Sequence, residues 1–308
     1  MEILRMKPVF KEAIWGGTRL RDDFGYDIPS DHTGECWAVS AHPEGICTVD
    51  GGSYDGMPLT EVWEKHPGLF GNISSDRFPL LTKIIDANGD LSIQVHPDDT
   101  YAAEQENGSL GKMECWYIID CVPDATIVIG HNAKTREELR AMVEEGRWNE
   151  LIREVPIKKG DFFQIDPGTV HAIKAGTLIL ESQQSSDITY RLYDYGRLQN
   201  GKPRQLHISQ SLDVIEVPFK ERRAEAPKGD SWLQLLYSCK YYKVWKGSLN
   251  GNETLEQPEA FMIGSVISGE ASFDGELFKK GDHFIIPFGY PPVEISGKAE
   301  FIFSSPAE

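Results

Sequence analysis

Residues 160–171 read Gly-Asp-Phe-Phe-Gln-Ile-Asp-Pro-Gly-Thr-Val-His. The Gly-Asp pair is typical of a turn, the residues after it predict a short strand, and Pro167-Gly168 predicts where that strand ends. A histidine, His171, comes three residues after this glycine. The stretch therefore predicts a strand whose closing turn delivers a histidine at a fixed distance.

Upstream, residues 91–98 read Leu-Ser-Ile-Gln-Val-His-Pro-Asp. Side chains of a β-strand alternate between two faces, so the serine, glutamine and histidine of this run share one face. Lys112 and Glu114 likewise share one face of the following run, Gly-Lys-Met-Glu. Two neighbouring strands could direct all five polar groups into one cavity, although a polar strand face that meets water is the more ordinary arrangement.

Four residues from these runs form a candidate metal site: Gln94, His96, Glu114 and His171. They offer two oxygens and two imidazole nitrogens. Zinc accepts both kinds of ligand, and a catalytic zinc keeps one position for water or substrate. Iron and manganese tolerate a similar set, so the residues alone do not choose the metal.

The stretch 160–171 resembles the second motif of the cupins, which are small β-barrels that hold a metal inside. Further runs resemble the signature segments of type I mannose-6-phosphate isomerases. These runs are L-S-I-Q-V-H-P-D-D, G-K-M-E, P-G-T-V-H-A-I and S-S-D-I-T-Y-R, together with the segments 13–17 and 34–43. The resemblance covers residues 7 to 200 well and the remainder loosely.

Most of the chain consists of short β-branched or aromatic runs separated by Gly, Pro, Asn and Asp. We therefore predict a mainly β fold of two cupin-like (jelly-roll) β-barrels with a few short helices. The run Lys-Lys-Gly-Asp at 158–161 recurs at 279–282. We expect a metal-binding catalytic cupin domain with helical insertions at 1–225. A C-terminal cupin-like domain at 226–308 has no histidine where the first copy has His171, so it should lack metal ligands.

Helical signals are few. A capping-box pattern that begins at Thr135 predicts a helix that Gly146 ends. A second helix is expected around 60–64 and a third between 98 and 107. The segment 216–230 is rich in charge, Pro and Ala and has no periodicity, so we place the linker there.

The resemblance implies that Gln94, His96, Glu114 and His171 bind one Zn²⁺ per chain. It also implies a function, the interconversion of mannose 6-phosphate and fructose 6-phosphate through an enediol(ate) intermediate.

By the same resemblance the catalytic residues are Lys112, Glu181 and Arg191. Arg191 would stabilise the enediolate. Lys112 and Glu181 are both candidates for the proton transfer, and Lys112 would need a lowered pKa to act as a base near neutral pH. The substrate phosphate would be bound by Ser92, Lys83 and Arg197.

The composition limits the classes of partner that the chain is expected to bind. The chain has 308 residues and a formal net charge of −17, which argues against nucleic acid or an anionic membrane as partner. The partner that the resemblance implies is a small sugar phosphate. Its five cysteines include no C-x-x-C pair, so a disulfide framework is not expected. No signal-peptide pattern or membrane span is visible, and we expect a cytoplasmic monomer or homodimer.

Other functions fit parts of the pattern. A cupin dioxygenase could hold iron with two histidines and a glutamate, and it would consume oxygen. A non-enzymatic sugar-binding cupin would bind sugar without turnover. An isomerase of glucose 6-phosphate would share most of the chemistry. His207 and His283 lie outside the motifs and are interpreted as structural or surface residues.

Overall fold

The computed structural model describes residues 1–222 and 231–307, so part of the expected linker, 223–230, lies outside the described residues. Antiparallel strands dominate the architecture. In chain order they are Leu4–Lys7 (β1), Val9–Gly17 (β2), Thr33–Val39 (β3), Thr48–Val49 (β4), Leu80–Ala87 (β5), Ile93–Val95 (β6), Glu114–Cys121 (β7), Thr126–His131 (β8), Ile152–Pro156 (β9), Phe162–Ile165 (β10), His171–Ala172 (β11), Thr177–Gln184 (β12), Tyr190–Tyr193 (β13), Leu198–Gln199 (β14), Lys202–Pro203 (β15), Leu233–Ser238 (β16), Tyr242–Leu255 (β17), Met262–Phe273 (β18), Glu276–Lys279 (β19), His283–Ile286 (β20) and Val293–Pro306 (β21).

The helices are short and lie between strands. They are Arg19–Asp22 (α1), Leu59–Lys65 (α2), Asp99–Gln105 (α3), Arg136–Glu144 (α4), Trp148–Leu151 (α5) and Ile208–Val214 (α6). The three helices predicted from the sequence are confirmed as α2, α3 and α4. At the start of α4 the Thr135 hydroxyl accepts a hydrogen bond from the N–H of Glu138 at 3.2 Å. Among the described residues, no helix combines the length and the apolar character that a membrane crossing requires.

A six-stranded sheet forms the centre of the molecule, in the order β10-β7-β12-β5-β3-β2. Every residue of β5 and β12 is buried, so this sheet is covered on both faces. On one face, Tyr117 and Leu180 pack against Tyr242 of the C-terminal sheet described below. The fold is therefore layered, with the six-stranded sheet in the middle.

A five-stranded sheet, in the order β13-β6-β11-β8-β9, covers the opposite face. Trp116, Ile118 and Ile179 of the central sheet share a buried cluster with Ile127 and Ile129 of the five-stranded sheet. This apolar cluster fills one end of the space between the two sheets.

The C-terminal sheet has the order β16-β17-β21-β18-β20-β1-β4, and β19 pairs with β18. Its strands β1 and β4 come from the first fifty residues, because Leu4 pairs with Ile285 and Met6 pairs with Val49. The N-terminal segment thus ties the two ends of the chain into one sheet. The mainly β architecture predicted from the sequence is confirmed.

The repeated Lys-Lys-Gly-Asp run forms the same turn in both copies. The Asp161 carboxylate accepts a hydrogen bond from the N–H of Lys158 at 2.9 Å, and Asp282 accepts one from Lys279 at 2.8 Å. The glycines of the two turns have φ of 90° and 93°, a region that residues with a Cβ avoid. Each turn leads into a short strand, β10 or β20, so the internal repeat seen in the sequence is structural.

His283 is fully buried and is a structural residue. Its Nε2 lies 2.8 Å from the Tyr26 hydroxyl, which itself donates to the Gly281 carbonyl at 2.7 Å, and its Nδ1 lies 2.8 Å from the Ser265 hydroxyl. Because the Tyr26 hydroxyl proton is used on Gly281, Nε2 of His283 is the donor to Tyr26. Tyr26 therefore links the N-terminal segment to the C-terminal sheet.

We expect Tyr26→Phe to lower the free energy of unfolding by about 1–3 kcal/mol, because the substitution leaves a buried imidazole N–H without its partner. Urea unfolding followed by circular dichroism measures the loss. Tyr54→Phe is the control, since the half-buried Tyr54 ring packs against the core and edge-on against His66, while its hydroxyl makes no hydrogen bond to the described residues. Equal effects of the two substitutions would contradict a special role for the Tyr26 hydroxyl.

Candidate active site

A cavity of about 340 Å³ opens where the six-stranded and five-stranded sheets meet. Its wall includes residues of both sheets and of the loops beside them. The predicted site residues on this wall are Lys83, Ser92, Gln94, Lys112, Glu181 and Arg191. Of the five residues that the sequence predicted to share one polar cavity, Ser92, Gln94 and Lys112 line this wall. His96 and Glu114 lie beside it, 3.3 and 2.8 Å from the Nζ of Lys112.

Strand register brings the site residues together. On the central sheet, Glu181 of β12 lies opposite Lys83 of β5 on one side and opposite Trp116 of β7 on the other. On the facing sheet, Gln94 of β6 lies between His171 of β11 and Arg191 of β13. Directly opposed residues have their side chains on the same face, so the site is set by antiparallel pairing.

His96, Glu114 and His171 form a buried group that could hold a metal ion. Their ligand atoms lie within 4.8 Å of one another. Nε2 of His96 and Nε2 of His171 are 3.1 Å apart, and they lie 3.3 and 3.4 Å from the two carboxylate oxygens of Glu114. Three residues far apart in the sequence thus converge on one point.

The donor atoms at this point fit a divalent cation. Nδ1 of His171 lies 2.8 Å from the Thr169 carbonyl, which can only accept a hydrogen bond, so Nε2 carries the lone pair. Oε1 of Glu114 is buried and accepts no hydrogen bond from the described residues. Burial first, and then the charge of Lys112, lower the pKa of His96 to about 3, which keeps its imidazole neutral and able to bind a metal.

Charged side chains continue from this group along the central sheet with alternating sign. The Nζ of Lys112 lies 2.8 Å from Glu114 and 4.0 Å from Glu181. The Nζ of Lys83 lies 3.7 Å from Glu181 and 3.6 Å from Glu35. We call this row, from Glu35 to Glu114, the charge ladder. Its two lysines are almost completely buried.

Two tryptophans fix two of the three carboxylates of the charge ladder, the central one and the one at its Glu35 end. The indole N–H of Trp116 donates to Oε2 of Glu181 at 2.8 Å, and the indole N–H of Trp37 donates to Oε2 of Glu35 at 2.5 Å. Oε1 of Glu181 is left without a hydrogen bond from the described residues. This oxygen is therefore oriented and available to accept a proton.

The pKa shifts of Lys112 and Glu181 distinguish these two candidates for the catalytic base. Burial alone would lower the pKa of Lys112, but the Glu114 and Glu181 carboxylates outweigh it and raise that pKa. Burial and the neighbouring Glu114 charge raise the pKa of Glu181 to about 7. Lys112 would need a lowered pKa to act as a base, and these protein groups do not provide it. The pKa of Glu181, in contrast, lies near neutral pH, as a general base requires. A bound cation would lower both pKa values.

Arg197 lies away from the cavity wall. Its guanidinium donates to the carbonyl of Asp90 and, at 2.5 Å, to the carboxylate of Asp194, and it stacks 5.0 Å from the Tyr195 ring centroid. Arg204 lies on the cavity wall instead. The hairpin β14–β15 separates the two arginines in the chain.

Sequence reasoning missed Glu35, Arg204 and His207, all of which line the cavity. Glu35 lies in a run that resembles the family, and its alternation with Trp37 was a signal that it shares a face with the site. His207 was interpreted as structural, and its Nδ1 does accept a hydrogen bond from the N–H of Arg191 at 3.2 Å. Neither His207 nor Arg204 carries a motif.

The fold and the site define a cupin-like protein with a buried His-Glu-His group that could hold a metal ion beside a polar cavity. Residues 3–118 match the family model "Phosphomannose isomerase type I, catalytic domain", and residues 233–306 match "Mannose-6-phosphate isomerase, cupin domain". The chain is 54% identical to the Bacillus subtilis protein "Mannose-6-phosphate isomerase ManA", over 98% of each chain. It is 45% identical to the mannose-6-phosphate isomerase of Streptococcus mutans, again over 98% of each.

Among solved structures, the mannose 6-phosphate isomerase from Bacillus subtilis superposes with a TM-score of 0.95 at 47% identity, over 99% of each chain. This chain belongs to the type I phosphomannose isomerase family. The family and the cupin-like fold expected from the sequence are confirmed.

We expect His171→Ala to reduce the bound metal from about one ion per chain to near zero, because it removes one of three converging ligands. Inductively coupled plasma mass spectrometry of the purified protein measures the content. His131→Ala is the matched control, since His131 is buried on the same five-stranded sheet and its Nε2 contacts only the Glu216 carbonyl at 2.9 Å. A folded His171→Ala protein with a full metal content would contradict the site.

Proposed function

We propose that this chain is a zinc-dependent aldose–ketose isomerase that interconverts mannose 6-phosphate and fructose 6-phosphate through an enediolate. The observation that carries the proposal is the group His96, Glu114 and His171 beside Lys112, which lines the cavity together with Glu181. Membership of the type I phosphomannose isomerase family supports the substrate. Since sugar phosphates are metabolites of the cell interior, we place the enzyme in the cytoplasm.

Gln94, His96, Glu114 and His171 would hold one zinc ion per chain. The set contains one carboxylate, two neutral imidazoles and one amide, which suits a divalent cation. A zinc ion bound there supplies a Lewis acid that polarises the sugar carbonyl or orients its hydroxyls.

Glu181 is the proposed base for the proton on C2. It takes that proton while the C2 electron pair forms the C1–C2 double bond and the C1 carbonyl becomes an enolate oxygen. The proton of the O2 hydroxyl moves to O1, and Glu181 returns its proton to C1 as the carbonyl forms at C2. The free Oε1 of Glu181, oriented by the hydrogen bond from Trp116 to Oε2, supports this role.

Lys112 and Arg191 supply positive charge to the same reaction. Lys112 is held between Glu114 and Glu181 and can donate hydrogen bonds to O1 and O2 as negative charge develops there. Arg191 faces the cavity on the opposite sheet and makes no ion pair with a carboxylate among the described residues. Its charge is thus available to the enediolate.

For the substrate phosphate we propose Ser92 and Lys83 on the cavity wall. Arg197 contributes from behind the wall, because its contacts with Asp90 and Asp194 brace the loop that precedes Ser92.

The first test is a coupled assay for conversion of mannose 6-phosphate to fructose 6-phosphate, with protein as purified, after chelation and after zinc is added back. We expect chelation to abolish turnover and zinc to restore it. Oxygen uptake in the same samples should be absent, in contrast to a dioxygenase. A folded, zinc-loaded protein without turnover would refute the substrate assignment.

Glu181→Gln should lower kcat by about 10²–10⁴-fold with metal content unchanged, because the amide cannot accept the C2 proton. Proton exchange between substrate and deuterated water, followed by NMR, should fall equally. Glu12→Gln, at an exposed position on the cavity rim, is the control and should change kcat less than about threefold. If Lys112→Met stops exchange while Glu181→Gln preserves it, Lys112 is the base.

A further inference from the structure

We propose that Arg204, held in place by Asp194, is an anchor for the phosphate group of the substrate. This assignment rests on the proposed function, because it deepens the description of the same cavity. Neither residue belongs to a sequence motif. Four features of their surroundings support the assignment.

Arg204 presents a partly satisfied guanidinium to the cavity. Its Nε and Nη2 donate to the two carboxylate oxygens of Asp194 at 2.8 and 2.5 Å. Its Nη1 makes no hydrogen bond to the described residues, and the side chain lines the cavity. One edge of the guanidinium is thus fixed by the protein, and the remaining N–H groups can bind an anion. Arginine suits phosphate because its planar fork can donate two parallel hydrogen bonds.

Asp194 serves two arginines at once. It is buried, and although burial alone would raise its pKa, hydrogen bonds from Arg204 and Arg197 lower it, so the carboxylate is ionised. Arg191, close by, has no carboxylate ion-pair partner among the described residues. Two guanidinium groups therefore share one carboxylate and a third has none, which gives this group of side chains a local excess of positive charge despite the acidic chain.

Arg197 cannot play the same part in this arrangement. Its Nε and Nη2 donate to Asp194, its Nη1 donates to the Asp90 carbonyl, and its face lies over Tyr195. Each side-chain nitrogen of Arg197 thus donates a hydrogen bond to another part of the protein, and Arg197 does not line the cavity. Arg197 fixes Asp194, and Asp194 in turn fixes Arg204.

The segment that carries Arg204 is clamped to the active site. Arg191 donates from Nη1 to the Gln205 carbonyl at 2.9 Å, and its own carbonyl accepts from the N–H of His207 at 2.8 Å. Arg191, which is proposed to face the enediolate, thus also positions the segment that carries Arg204. Such preorganisation lowers the entropy cost of binding.

The test measures phosphate binding directly. Calorimetric titrations with inorganic phosphate and with fructose 6-phosphate are made on the wild-type, Arg204→Gln and Asp194→Asn proteins, together with KM and kcat for mannose 6-phosphate. Losing one charge-assisted contact of about 1.5–3 kcal/mol weakens binding about 10–100-fold. We expect Arg204→Gln to raise Kd for both ligands and KM by this factor, with kcat changed less than about threefold.

Asp194→Asn should raise KM less than Arg204→Gln and should leave kcat nearly unchanged, because it loosens the arginine without removing it. A purely structural Asp194 would instead lower the active fraction without moving KM. Arg147→Gln is the control, since Arg147 is paired with Glu145 and Glu150 elsewhere on the surface. It should change neither ligand affinity nor KM.

The proposal is overturned if Arg204→Gln leaves both Kd values within about threefold of wild type, or if the wild-type protein binds neither ligand. It is also overturned if Arg197→Gln weakens binding more than Arg204→Gln does. Should mannose 6-phosphate not be turned over while Arg204→Gln still weakens phosphate binding, the proposed function fails and the anchor stands.

Discussion

The alternating charge ladder from Glu35 to Glu114 is the interaction on which the rest of the structure depends. Moving an isolated charge from water into a protein interior costs several kcal/mol, and only close partners of opposite sign offset that cost. Each buried lysine of the ladder lies between two carboxylates, and indole N–H groups fix Glu35 at one end and Glu181 in the middle. Removing any one of these charges would leave a buried neighbour without its partner. Few substitutions are therefore tolerated at any position of the ladder.

The sheet architecture makes such a set possible. A strand covered on both faces usually reads as a continuous apolar run, yet β7 and β12 carry glutamates in their buried stretches. Apolar and charged residues are separated along one face of the central sheet. Ile118 and Ile179 fill the apolar cluster at one end, and Glu114 and Glu181 stand at the other. The apolar end and the C-terminal layer supply the packing that holds the polar end rigid.

The sequence predicted the parts of this site that are local. Gln94 lies in β6 and His96 directly follows that strand, while Lys112 and Glu114 lie two apart along the chain leading into β7, so alternation alone assigned each pair to a common face. What the sequence could not show is register. The pairing of Glu181 with Lys83, and the return of β1 to pair with β20, are fixed by contacts between distant segments. The raised pKa of Lys112 follows from those same contacts, and no motif encodes it.

The contrast between Arg197 and Arg204 shows that matching sequence motifs does not predict which arginine reaches the cavity. Counting from Arg191 selects Arg197, but a short hairpin turns the chain so that Arg204 reaches the wall and Arg197 stands behind it. Both donate to the Asp194 carboxylate, so the two arginines are linked through one buried group. In a chain with a net charge of −17, attraction of an anion has to be local, because charges beyond about 8–10 Å are screened in physiological salt. A cluster of guanidinium groups around one buried carboxylate meets that condition, since it confines an excess of positive charge to the cavity wall.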